Sequence, residues 1–137
     1  MIGILVISHE QSGASLIDCV VHVLGERPPL LVNHVVSPVA DPDVEAAGLQ
    51  VTLKQLDQGS GVLILTDVFG ATPANIARRL IRSGHIECLS GLNLPMLLRA
   101  VQYRHLPLPQ LIDKALAGGR ENIMQLPPEN NNPKNPG

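Results

Sequence analysis

The stretch ILVISHEQSG (residues 4–13) joins a run of apolar residues to a polar turn that contains a histidine. The apolar run covers residues 2–7 and is continuous and rich in β-branched side chains. Continuous runs of this kind are typical of strands buried on both faces of a parallel sheet. Residues 2–7 therefore predict a central strand, with His9 in the polar turn directly after it.

Three further apolar runs, at residues 30–36, 62–66 and 86–89, predict three more buried strands. Segments with helical periodicity, caps and initial prolines lie between the strands and after the last of them. Strands that alternate with helices predict an α/β fold with a doubly wound, mainly parallel sheet, for which we expect the strand order 2-1-3-4. The first predicted helix covers residues 15–25, the second begins at Asp41-Pro42, and the third covers residues 72–81. The fourth begins at Pro95, and the fifth begins at Pro109 and ends at Gly118-Gly119.

A last apolar run, NIMQL (residues 122–126), follows the fifth helix after a very short connection. A parallel crossover needs a longer connection, so this run predicts an antiparallel strand, either at the sheet edge or paired with another subunit. The tail PPENNNPKNPG (residues 127–137) is rich in Pro and Asn without an apolar anchor, which predicts disorder. The expected organisation is a folded domain over 1–126 and a disordered tail over 127–137.

The composition argues against several classes of function. The chain has 137 residues, of which 45% are hydrophobic, and this is enough for one domain with a substantial core. A net charge of −2, with one Phe, one Tyr and no Trp, gives neither the basic surface nor the stacking platform of a nucleic-acid-binding protein. Without CxxC, HxxxH or a glycine-rich nucleotide motif, the sequence predicts no metal site and no cofactor. The N-terminal apolar run is too short for a signal peptide or membrane span, so a cytoplasmic protein is expected.

Candidate chemistry lies at the ends of the first and third strands, which are neighbours in the predicted order. His9 follows the first strand, and Asp67 follows the third in TDVFGATPAN (residues 66–75). Ligands of open α/β sheets bind at the carboxyl ends of the strands where the strand order reverses, so the two side chains are expected to face each other. A carboxylate that accepts the Nδ1 proton of an imidazole fixes its tautomer and leaves Nε2 as a nucleophile.

The residues after Asp67 predict an anion site beside this pair. Gly70 is conformationally permissive, Ala71 and Thr72 are small, and a proline begins the next helix, so backbone N–H groups converge at a helix N-terminus. A nucleophilic histidine, an orienting aspartate and an anion site together indicate phosphoryl transfer. Each feature alone also has a simpler interpretation: His9 as a loop histidine, Asp67 as a cap, and GATP as an ordinary strand-to-helix turn.

Four segments resemble the mannose-type IIA component of the phosphoenolpyruvate–sugar phosphotransferase system. They are ILVISHEQSGASLIDCVVHVLGE, GVLILTDVFGATPANIARRLI, LSGLNLPMLLRAV and ALAGGRENI, in that order within residues 1–126. The resemblance implies that His9 accepts a phosphoryl group from phospho-HPr at Nε2 and passes it to a histidine of a IIB protein. It further implies that Asp67 is hydrogen-bonded to the ring, that Phe69, Gly70, Ala71 and Thr72 surround the phosphoryl group, and that Asn93 borders the same crevice.

The same resemblance implies a homodimer whose subunits exchange their last, antiparallel strand, which would account for residues 122–126. Contact with a membrane sugar transporter is then peripheral. Longer family members continue into a IIB domain, so a IIB partner of this chain is expected to be a separate protein. The departure from the family is Glu10, because a small residue commonly follows the histidine and a carboxylate there should repel a phosphoryl group unless it points away.

Two other functions remain open at this point. In a regulatory interaction module, the phosphorylation state of His9 would control binding to a partner, without a dedicated transporter. The related phosphocarrier subunit of a dihydroxyacetone kinase shares the fold, although DVFGATP and GLNLPM fit the mannose type better. Chemistry at His9 alone does not separate transport from regulation.

Overall fold

Five helices and six strands make up the part of the chain that the computed structural model describes, residues 1–129, 131–132 and 135–136. In the described chain, no helix combines the length and the apolar character that crossing a membrane requires. The elements in chain order are β1 (Gly3–Ser8), α1 (Ser12–Leu24), β2 (Leu31–Val35), α2 (Pro42–Leu56), β3 (Val62–Thr66), α3 (Thr72–Leu80), β4 (Ile86–Leu89), α4 (Leu94–Gln102), α5 (Leu108–Glu121), β5 (Asn131–Asn132) and β6 (Asn135–Pro136).

The first four strands form one parallel sheet in the order β2-β1-β3-β4. This confirms the predicted α/β fold and its strand order. Ile7 of β1 pairs with Thr66 of β3, so the two central strands end at the same edge of the sheet. The residues that follow these strands, His9 and Asp67, therefore leave the sheet next to each other.

Helices cover both faces of the sheet, which explains why its central strands are continuously apolar. All six residues of β1 are buried. Ile4 and Val6 belong to a core shared with α1, α4 and α5, whereas Leu5 and Ile7 belong to a core shared with α2 and α3. Strand β1 is thus packed from both sides, and its carboxyl end is a firm base for the turn at His9.

Most helix ends follow the signals in the sequence. Gly25 ends α1 in the left-handed conformation, with φ = +84°, which favours glycine because it has no Cβ. Asp41 caps α2, and its side chain accepts a hydrogen bond of 2.9 Å from the backbone N–H of Asp43. Pro42 occupies the first turn of the same helix, as predicted.

The predicted end of α5 at Gly118-Gly119 is wrong, because the helix continues to Glu121. Both glycines are buried where α5 packs on α4. A Cβ on Gly118 would collide with the side chain of Arg99, and one on Gly119 would lie 3.1 Å from Cε of Met96. These glycines therefore permit close packing of two helices rather than ending one of them.

Residues 122–126, for which the sequence predicts an antiparallel strand, form no strand within the single chain. An edge strand in the same subunit is wrong because this segment leaves α5 without pairing to the sheet, with Ile123, Met124 and Leu126 exposed. Of the predicted disordered tail over 127–137, residues 130, 133, 134 and 137 lie outside the described residues. Disorder of that tail stays a prediction, and β5 pairs with β6 in antiparallel fashion.

Candidate active site

The turn that carries His9 is fixed by hydrogen bonds from both of its sides. The backbone N–H of Gly13, in the first turn of α1, donates to Oγ of the buried Ser8 at 3.1 Å. The carbonyl of Ser8 accepts from the backbone N–H of Val36, after β2, at 3.2 Å. The end of β1, the start of α1 and the end of β2 therefore hold the turn, while the His9 side chain is 48% exposed.

Asp67 contacts the imidazole of His9, as the order of the strands led us to expect. Nδ1 of His9 lies 2.9 Å from Oδ2 of Asp67, and the backbone N–H of His9 donates to the same oxygen at 2.9 Å. The other carboxylate oxygen, Oδ1, accepts from the backbone N–H of Val68 at 2.9 Å. The carboxylate thereby holds both the ring and the main chain of His9.

The hydrogen bonds at Asp67 keep its carboxylate charged. Burial alone would raise the pKa of this carboxyl, whose side chain is only 17% exposed. The hydrogen bonds from the backbone and the ring of His9, and the charge of that ring, outweigh burial and lower the pKa of Asp67 below its ordinary value. An ionised Asp67 accepts the Nδ1 proton, and Nε2 of His9 has no hydrogen-bond partner among the described residues.

Ser12 lies beside both His9 and Asp67, and reasoning from the sequence did not identify it. Its Oγ donates to the carbonyl of His9 at 2.8 Å and lies 3.4 Å from Oδ2 of Asp67. A serine hydroxyl that donates to the carbonyl three residues earlier is a common local turn pattern, and this was the available signal. Ser12 stabilises the His9 backbone through its one O–H donor, and its hydroxyl oxygen lies beside the carboxylate of Asp67.

The turn between β3 and α3 brings the predicted anion site to the same edge of the sheet. Gly70 has φ = +83°, a left-handed conformation that favours glycine, and Phe69 before it is largely exposed. Ala71 is the N-cap of α3 without a side-chain hydrogen bond, and Thr72 is the first residue of the helix. The N–H groups of this first turn therefore lack a side-chain cap and can bind an anion.

His9 and Thr72 line one cavity of about 210 Å³. The cavity opens at the carboxyl ends of the strands, where the sheet order reverses, as expected for a ligand site in this fold. Its wall carries hydroxyl groups and one carboxylate and has neither lysine nor arginine. The lining residues are His9, Glu10, Val36, Ser37, Pro38 and Thr72.

Asn93 is used in packing the helices. Its Oδ1 accepts from the backbone N–H of Met96 at 3.0 Å and caps α4, and its Nδ2 donates to the carbonyl of Gly119 in α5 at 3.1 Å. No side-chain hydrogen bond of Asn93 reaches His9 or Asp67. Its amide joins α4 to α5, and a place for Asn93 at the border of the crevice stays a prediction.

Two other histidines also pair with carboxylates, but through the opposite ring nitrogen. Nε2 of His34 lies 2.7 Å from Glu45, and Nε2 of His85 contacts Asp57. In His9, by contrast, the carboxylate occupies Nδ1. Among the described residues, no group of three or more His, Cys, Asp or Glu side chains is arranged to hold a metal ion.

Comparison with known protein families decides the relationship of the chain. The family EIIA-man, described as PTS system fructose IIA component, matches residues 3–115. The chain belongs to this family. It is a IIA component of the phosphoenolpyruvate–sugar phosphotransferase system. The match includes His9, Asp67 and the turn that follows, whereas residues 122–126 lie beyond it.

Individual relatives agree with the family assignment. The PTS system mannose-specific EIIAB component of Escherichia coli (strain K12) is 30% identical over 129 residues, which are 91% of this IIA component but 39% of that protein. The PTS system fructose-specific EIIA component of Bacillus subtilis (strain 168) is 28% identical over 90% of this chain and 85% of its own length. The crystal structure of EIIA from Streptococcus agalactiae superposes with a TM-score of 0.79 at 26% identity, covering 91% of this chain and 97% of that one.

The lowered pKa of Asp67 predicts a pH dependence of the stability of this IIA component. Since its pKa is higher in the unfolded chain, Asp67 stabilises the fold above that value and loses this contribution as the pH falls through the folded pKa. Burial also raises the pKa of Asp57, but hydrogen bonds from His85 and from backbone N–H groups outweigh it and lower that pKa. Asp57 therefore also stabilises the fold less as the pH falls. We expect the free energy of unfolding in urea to fall below about pH 4. Below about pH 4, the free energy of unfolding should fall less in the Asp57→Asn and Asp67→Asn variants than in the parent protein. If it falls equally with pH in all three proteins, these two carboxylates are not the cause.

Proposed function

We propose that this IIA component is a phosphocarrier in which Nε2 of His9 accepts a phosphoryl group from phospho-HPr and passes it to a histidine of a IIB protein. The observation that carries the proposal is the pairing of Nδ1 with Asp67, because it leaves Nε2 as the free nucleophilic nitrogen at the mouth of the cavity. The family relationship supports the same role.

The proposed step is a direct displacement at phosphorus. The lone pair of Nε2 attacks, the bond between phosphorus and the donor nitrogen breaks, and the donor keeps that electron pair. The Nδ1 proton stays between His9 and Asp67, whose charge stabilises the positive ring as the new bond forms. The uncapped N–H groups of α3, with Phe69, Gly70, Ala71 and Thr72, are proposed to hold the phosphoryl oxygens.

The exposed segment after α5 fits a homodimer in this proposal. Ile123, Met124 and Leu126 are apolar and exposed in the single chain, and their exposure is removed if the segment pairs with a second subunit. Strand exchange would provide that pairing. Sedimentation of the full chain and of the Ile123→Asp variant tests it, because the variant should shift to monomers while a monomeric parent would exclude the exchange.

The phosphocarrier proposal is tested by following labelled phosphate from phosphoenolpyruvate through enzyme I and HPr to this chain. We expect an acid-labile label on the peptide that contains His9, attached to Nε2. His34 and His85 are internal controls, because in each the carboxylate occupies Nε2 and no label is expected there. Label on another residue, or none, would exclude the proposal.

A second stage of the same experiment separates the alternatives. Addition of IIB proteins should discharge the label from His9 if the chain serves transport. A label that no IIB protein removes favours the regulatory module, and discharge to a dihydroxyacetone kinase favours the third function. His9 is the labelled residue in all three cases, so the acceptor distinguishes them.

A further inference from the structure

Glu10 follows His9 in a backbone conformation that is unfavourable for glutamate. Its φ is +45°, in the left-handed region, where a Cβ is unfavourable and glycine is the preferred residue. Its side chain is exposed and lines the cavity together with His9 and Thr72. A glutamate at this position adds conformational strain, and the backbone geometry gives no reason for it.

The carboxylate of Glu10 is uncompensated in this structure. Among the described residues it takes part in no side-chain hydrogen bond and in no ion pair. The other cavity-lining residues include no lysine or arginine, and the carboxylate of Asp67 is already committed to His9. A phosphoryl dianion at Nε2 would therefore meet one unpaired negative charge, and no lysine or arginine among the residues that line the cavity.

We propose that Glu10 is a specificity-determining residue that selects a partner protein presenting a lysine or arginine beside its phosphoryl group. The proposal rests on the phosphocarrier function of His9. Without a partner, Glu10 opposes the approach of phosphate dianions to Nε2. In the complex, the lysine or arginine of the partner lies between Glu10 and the phosphoryl group. The carboxylate of Glu10 then attracts this cation, and only a partner that supplies such a cation overcomes the repulsion between Glu10 and the phosphoryl group.

Two phosphoryl donors separate these two effects of the charge. Phosphoramidate is a small anion without a cationic side chain, and its ammonia leaves with the electron pair of the broken N–P bond. Phospho-HPr is the protein donor of the proposed function. The Glu10→Gln variant removes the charge and keeps a side chain in the left-handed conformation, so it reports the charge alone.

We expect Glu10→Gln to be phosphorylated by phosphoramidate about fivefold faster than the parent and by phospho-HPr about fivefold more slowly, the effect of one charge interaction near the surface. The difference with phospho-HPr should shrink at high salt because the charges are screened. Glu10→Gly, which also relieves the backbone, should behave like Glu10→Gln. Glu26→Gln removes an exposed carboxylate that lies with Met1 and Arg104 and not in this cavity, and it should leave both rates unchanged.

A change of the same sign with both donors, or no change with either, would overturn the proposal. If the parent protein accepts phosphate from phosphoramidate but not from phospho-HPr, the proposed donor is wrong, and the selection of that donor by Glu10 is overturned with it. If His9 of the parent is labelled by neither donor, the phosphocarrier function fails, and this inference fails with it.

Discussion

We expect Asp67→Asn to slow phosphoryl acceptance by His9 by about 10- to 100-fold, the range found when a metal-ligating histidine loses the hydrogen-bond partner that orients its ring. Oδ2 of Asp67 accepts from the ring and from the backbone of His9. An amide NH₂ in that place would donate to Nδ1 and select the tautomer with its proton on Nε2. The nucleophilic lone pair would then be lost, and a neutral amide would not stabilise the positive ring.

Asp57→Asn is the matched control for this prediction. Asp57 also pairs with a histidine, His85, and its pKa is also lowered, but that pair touches neither the cavity nor His9. The initial rate of label transfer from phospho-HPr measures both variants, and thermal unfolding shows how much folded protein is present. Equal rates for Asp67→Asn and the parent would exclude an orienting role for Asp67. Equal losses in both variants would show an effect of stability only.

The meeting of His9 with Asp67 was predictable because it follows from topology alone. With parallel strands indicated by the apolar runs, and with the expected order 2-1-3-4, the residues after β1 and β3 had to leave neighbouring strands at the same edge of the sheet. The start of α3 was predictable for a similar reason, since a glycine turn and a proline fix where the helix begins. Strand continuity and helix starts therefore accounted for both the fold and the central pair.

Features that depend on the close approach of helices or on an uncommon backbone conformation were beyond the sequence. Gly118 and Gly119 have the local appearance of a helix end, and only the packing of α5 on α4 shows why they lie within the helix. The left-handed backbone of Glu10 has no local sequence signal, because glutamate is not a residue that favours it. The strand expected over 122–126 has no partner in one chain, so its sequence pattern alone could not place it.

The start of α1 packs so closely on the end of β1 that a substitution at Gly13 should strongly lower the stability of the protein. We expect Gly13→Ala to lower the free energy of unfolding by about 2 kcal/mol, although alanine favours helices over glycine. A Cβ on Gly13 would collide with Oδ1 of Asn33 and Oγ of Ser8, and would lie 2.9 Å from Cγ1 of Val6. The hydrogen bond from the Gly13 N–H to Ser8 would also be disturbed.

Gly48→Ala provides the control for Gly13→Ala within the same protein. Gly48 lies inside α2, and a Cβ there would meet no atom within 4 Å, so propensity alone predicts a gain of about 0.5–1 kcal/mol. In urea unfolding, helix propensity alone should raise the free energy of unfolding of Gly48→Ala, whereas the steric collision should lower that of Gly13→Ala. In an Asn33→Ala background, the cost of Gly13→Ala should shrink because the nearest obstructing atom is gone. Stabilisation by Gly13→Ala would show that α1 can move away from β1, and the turn of His9 would then not be held as tightly as these contacts require.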